Sequence, residues 1–118
     1  MNGLGLVWLV YNFGMEISSE TTLKELQEYI AQVCVERGFD MDSPSNKMVM
    51  LMEEVGELAK AVRKNIGMKF DKTTSRKDVA EEMADVLIVL VGLASILKID
   101  LAEALENKEV KNRERNWE

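Results

Sequence analysis

From Val86 to Leu97 the chain reads VLIVLVGLASIL, with no charged side chain, and that stretch limits what the rest can fold into. Joined to the polar residues before it, it predicts a helix from about Arg76–Asp78 to Leu97. A helix that is apolar all round has to be covered on every side. A chain of 118 residues has room for one domain and one modest core. One copy therefore has little material to cover that helix, and a second copy, in a homodimer or homotetramer, is expected to complete it.

The other apolar residues also recur at helical spacing. Leu23, Leu26, Ile30, Val33 and Cys34 form one stripe, preceded by Thr22 with Glu25 as a capping box and ended by Gly38. Ser43 and Pro44 have the form of an N-cap and first helical position. They open a second helix whose stripe is Met48, Leu51, Met52, Val55, Leu58, Ala59 and Val62, fading near Asn65 to Gly67. A basic polar loop, Met68 to Ser75, leads into the charge-free helix. Asp100 and Glu103 predict another capping box, with a fourth helix from Leu101 toward Trp117. No segment reads as a strand with comparable strength. The expected class is all-α, a bundle of about four helices per chain.

Residues 1–17 stand apart. Gly3 to Phe13 is apolar and aromatic, too short to span a bilayer and without the basic start and cleavage site of a signal peptide. It reads as an N-terminal extension, or an arm for a partner subunit, ahead of one domain over 18–118.

Several chemistries are excluded. A net charge of −6 argues against a general nucleic-acid binder, which needs a basic surface. Cys34 is the only cysteine, so no internal disulfide can form and a reducing, cytoplasmic setting is the default. No histidine is present. That removes histidine metal sites and Ser-His or Cys-His catalysis. It also disfavours a di-iron carboxylate bundle, which needs Glu-x-x-His on two helices.

The carboxylates fall in two runs. The second helix carries Glu53, Glu54 and Glu57 in EEVGE, and the third carries Glu81, Glu82 and Asp85 in EEMAD. Residues three apart on a helix are neighbours. Glu54 with Glu57, and Glu82 with Asp85, can thus meet as four carboxylates if the helices pack antiparallel. Such oxygen ligands suit Mg²⁺, with Mn²⁺ as a substitute. On the second helix alone, the acids read first as a solvated face opposite the apolar stripe, as ordinary surface acids do. On the third, the line through Asp78, Glu82 and Asp85 continues into Val89, Gly92 and Ile96, and surface charge explains that poorly. The stripe of the fourth helix, Leu101, Ala104 and Leu105, continues into Lys108, Lys111, Asn112 and Arg115. A frayed helix end whose cations favour the C-terminal dipole is one reading. A phosphate-binding face is the other.

EEVGE, then residues 58–81, then EMAD resembles the EExxE…ExxD signature of the MazG-like all-α NTP pyrophosphatases. The apolar helix and the KNRERNW ending belong to the same resemblance, which covers about Thr22 to Trp117. It implies a dimer-based bundle and Mg²⁺-dependent hydrolysis of an NTP or dNTP to monophosphate and pyrophosphate. By position, Glu54, Glu57, Glu82 and Asp85 would be metal ligands. Glu53 would lie just behind them or activate the attacking water. Lys111 and Arg115, with Asn112 beside them, would contact the nucleoside triphosphate, and Phe39 falls near where relatives place an aromatic against the base. The non-enzymatic alternative is a dimeric helical interaction module with a structural acidic cluster.

Overall fold

The computed structural model describes residues 16–38, 42–66 and 76–115, and these form helices with no strand among them. In chain order they are α1 (Leu23–Glu36), α2 (Pro44–Asn65), α3 (Arg76–Ile96) and α4 (Leu101–Glu114). The N-terminal extension up to residue 15, the connection at 39–41 and the loop at 67–75 lie outside the described residues, as do 116–118. No helix among the described residues is long and apolar enough to cross a membrane.

Local chemistry starts the helices where the sequence places them. The Thr22 hydroxyl accepts from the Glu25 N–H at 3.1 Å, and the Glu25 carboxylate accepts from the Thr22 N–H at 3.0 Å. The Thr22 backbone N–H first, then its side chain, hold the Glu25 carboxyl below its usual range. Ser43 accepts from Asn46 N–H at 3.1 Å with Pro44 in the first turn, and Asp100 accepts from Glu103 N–H at 3.0 Å. The cap at Asp100 is a simple one, without the return bond that closes the box at Thr22.

The helix ends differ in kind. Gly38 follows α1 at a φ of +75, the left-handed region that glycine enters freely. At the end of α3 the same region is occupied by Lys98, φ 59. There Ile99 N–H reaches Ala94 O at 2.9 Å and Lys98 N–H reaches Ser95 O at 3.2 Å, a Schellman closure. This turn sends the chain back over α1. Gln27 of α1 fastens it by donating to Ile99 O at 3.0 Å and accepting from Leu101 N–H at 2.7 Å. Gln27→Met keeps the length of the side chain and loses both bonds. It is expected to lower stability by about 1–2 kcal/mol, read from urea unfolding. An unchanged midpoint would mean that the two bonds are replaced by water without loss.

α3 is the centre of the molecule, with α1 on one side and α2 along another. Ile30, Cys34 and Val91 make the buried cluster, with Leu26, Tyr29 and Leu101 packed around it. Val91 is fully buried (0% exposed), yet Leu87 four residues earlier is 45% exposed, and Ile88 and Leu90 are exposed as well. Several residues of the charge-free run are therefore exposed among the described residues.

Two expectations about faces are corrected. The apolar stripe expected to bury α2 is largely outside: Met48, Val55 and Val62 are exposed, and Met52 is 60% exposed. The face that meets α3 instead carries Lys47, Leu51, Glu54, Leu58 and Ala61. Lys47 is buried at 4% exposure, with its Cε and Nζ lying over Gly92, where a Cβ would come to 3.8 Å from each. Both stripes share Leu51 and Leu58, so helical period alone does not decide between them, and the hydrogen-only surface of Gly92 leaves room for the lysine. The second correction concerns α4, whose expected inward stripe is mostly solvent-exposed: Ala104, Leu105, Lys108, Lys111 and Arg115 are exposed, and Asn112 is half-buried. α4 is anchored through its start on α1, and the rest projects from that anchor.

Candidate metal centre

α2 and α3 run antiparallel, because residues advancing along α2 face residues receding along α3: Lys47 with Gly92, Glu54 with Glu82 and Asp85, then Glu57 and Ala61 with Glu82 and Asp78. This pairing brings the two acidic runs to the same height. Glu54, Glu82 and Asp85 each offer one carboxylate oxygen, and these oxygens all lie within 4.8 Å of one another. Mg²⁺ binds oxygen at about 2.1 Å, so opposite ligands around it stand about 4.2 Å apart. The three oxygens thus need little movement to close on one ion. The set is all hard oxygen, and it fits Mg²⁺ or Mn²⁺ by donor chemistry.

The electrostatics give the same picture. Glu82 is held above the usual carboxylate range, first by partial desolvation and then by the charges of Asp85, Glu54, Glu57 and Glu81. Glu54 and Glu82 are half-buried between the helices, while Asp85 is exposed. Gathered like charges raise the energy of the folded state unless a cation or a proton sits among them. The expectation that the acids of α2 face away from the packing surface therefore does not hold for Glu54.

The other expected residues are placed as follows. Glu57 is outside the three-oxygen group but close enough for its charge to act on Glu82, and it lines the adjoining pocket. Glu53 is exposed beside Met48, Val49 and Met52, on a different side of α2 from the converging oxygens. Lys111 and Arg115 are exposed at the end of α4, and Asn112 donates to Glu109 at 3.0 Å. The structure does not bring those three to the acids within this chain: none lines the acidic pocket, and α4 rests on α1. Phe39 lies outside the described residues. Two lysines were missed, Lys60 and Lys64, which line the pocket with Glu57 and Glu82. Their positions three and seven residues after Glu57 put them on its face of the helix, and that spacing was the available signal.

Comparison with known proteins points the same way. Residues 42–117, which contain both acidic runs, match the MazG nucleotide pyrophosphohydrolase domain. The chain is 40% identical over 87 residues to the YpjD protein of Bacillus subtilis (strain 168), covering 73% of this chain and 78% of YpjD. The crystal structure of YpjD superposes with a TM-score of 0.72 over 84% of this chain and all of that one, at 36% identity. The chain is also 34% identical over 103 residues to dCTP pyrophosphatase 1 of Bos taurus, covering 83% of this chain and 61% of the relative's length. The crystal structure of iMazG from Vibrio DAT 722 superposes with a TM-score of 0.58, at 33% identity over 79% of this chain and 99% of iMazG. With its acidic runs folded against each other inside the matched region, the chain belongs to the MazG nucleotide pyrophosphohydrolase family, hydrolases acting on phosphoanhydride bonds.

Proposed function

We propose that the chain is a cytoplasmic, Mg²⁺-dependent pyrophosphohydrolase that cleaves an NTP or dNTP to the monophosphate and pyrophosphate, keeping the nucleotide pool in order. The observation that carries this reading is the convergence of Glu54, Glu82 and Asp85 within 4.8 Å between α2 and α3, in a chain of this family. Those three residues hold the metal, and Glu57, one turn further along α2, completes the set from the pocket side. Bound there, the metal supplies charge neutralisation of the phosphates. The carboxylates fix its position and keep a dense negative field that only a metal–phosphate complex, and not a bare phosphate, can enter.

Water activation by Glu53 remains part of the proposal, and it requires the exposed α2 side around Met48 and Met52 to be enclosed. The same holds for Lys111, Asn112 and Arg115 as phosphate ligands: with α4 resting on α1, they reach an acidic site only as part of a second copy. Oligomerisation, as dimer or tetramer, is thus built into the proposal twice. Lys111→Ala and Arg115→Ala are expected to raise KM or lower turnover about tenfold or more with unchanged melting temperature, since both side chains are exposed at a helix end. Wild-type kinetics in both variants would remove α4 from the site. Screening the common and oxidised nucleoside triphosphates for pyrophosphate release tests the activity and identifies the base and sugar.

A further inference from the structure

The pocket beside the three carboxylates is not lined by acids alone. About 150 Å³ in volume, it is bounded by Glu57, Lys60, Ala61, Lys64, Asp78 and Glu82. Glu82 belongs both to this pocket and to the converging oxygens, so the two adjoin. Lys60 and Lys64 are one turn apart on the face of α2 that carries Glu57, and from Glu57 to Lys64 the helix rises roughly 10 Å. Glu57 and Glu82 therefore stand at the metal end of a short strip, and Lys60 and Lys64 extend it along α2, with Asp78 of α3 also in the lining.

A site meant only for a divalent cation has no use for two lysines, which repel it. A site for a cation together with a polyphosphate needs both signs side by side. Among the described residues Ala61 is the only apolar one in the lining and none is aromatic, so they offer no platform for a nucleobase. Lysine recognises phosphate as a point charge, and two of them match the more highly charged fragment of a nucleoside triphosphate. Compensation of the helix dipole accounts for cations in the last turn of α2, which are Arg63 and Lys64. It does not account for Lys60, one turn earlier. We propose that Lys60 and Lys64 bind the pyrophosphate portion of the substrate, next to the metal held by Glu54, Glu82 and Asp85, an assignment that rests on the hydrolase reading above.

The test is calorimetric titration of the full chain with inorganic pyrophosphate at saturating Mg²⁺, beside a titration with Mg²⁺ alone. The Lys60→Gln/Lys64→Gln double variant is expected to bind pyrophosphate roughly tenfold or more weakly, with Mg²⁺ affinity equal to wild type or higher. The Lys60→Arg/Lys64→Arg variant is expected to retain most of the affinity. Arg63→Gln carries a charge change of the same sign on the same helix, and should bind pyrophosphate as wild type does. Pyrophosphate affinity within about twofold of wild type in the double glutamine variant, or an equal loss in Arg63→Gln, would overturn the assignment while leaving the hydrolase reading intact. A wild-type protein that neither binds pyrophosphate nor releases it from any triphosphate overturns both.

Discussion

Glu82→Gln is expected to abolish or severely reduce hydrolysis while leaving the metal-free protein as stable as wild type or more so. Glu82 is one of the three converging carboxylates, and its proton affinity is raised by desolvation and by Asp85, Glu54, Glu57 and Glu81. The neutral amide relieves that repulsion and is a poor ligand for Mg²⁺. Wild type should gain stability on adding Mg²⁺, by about 2.7 kcal/mol at a hundredfold excess over the dissociation constant of one site, and the gain should shrink in the variant. Acidification should mimic the substitution in the metal-free protein. Because Glu82 holds its proton more tightly folded than unfolded, the folded state carries more protons in the window just above the usual carboxylate range. Its contribution to stability therefore rises as pH falls through that window, and is lost again as pH returns to neutral. With Mg²⁺ present the trend should weaken or reverse, since the metal requires the ionised ligand. Thermal unfolding with and without Mg²⁺ between neutral and mildly acidic pH reads both effects. Full activity in Glu82→Gln, or in Glu57→Gln, would count against the residue's place in the metal set.

Leu87→Glu is expected to break the proposed assembly into monomers or drive it to aggregate. Leu87, Ile88 and Leu90 on α3 and Met48, Met52 and Val55 on α2 are exposed apolar residues in a single chain, and apolar surface of that extent needs cover. An unpaired carboxylate placed in a buried interface costs several kcal/mol, on the order of a thousandfold in dissociation constant. Sedimentation velocity at micromolar concentration should show wild type as a dimer or larger. The variant should lose that species while keeping its helical circular dichroism. A wild-type protein that is a stable, soluble monomer would contradict the expectation and with it the assembled site.

What could be read from the sequence was local and what could not was relational. The caps at Thr22, Ser43 and Asp100 lie where the sequence places them, because a capping side chain bonds backbone a few residues away. The α2 and α3 acids converge as their spacing allows, since antiparallel packing of two helices settles their relative height. Which face of α2 meets α3 was not legible: Lys47 and Glu54 went inward, while Met48 and Met52 stayed outside. Hydrophobic period describes one helix at a time, and α2 has a second apolar surface that is exposed among the described residues. The same limit applies to Lys111 and Arg115, whose stripe was expected to point inward, while the Gln27 anchor at Ile99 and Leu101 leaves it in solvent. For Lys60 and Lys64 the sequence offers only their spacing from Glu57, which puts them on its face of α2 without showing that a pocket lies there.

The most direct measurement follows the products from a mixed pool of deoxynucleoside triphosphates, with Mg²⁺ and with chelator, resolving pyrophosphate, orthophosphate and nucleoside monophosphate. The expected result is pyrophosphate and monophosphate in equal amounts, only with the metal, and neither from the Glu82→Gln protein. Orthophosphate with nucleoside diphosphate, or no product at any metal concentration, would contradict the proposed activity.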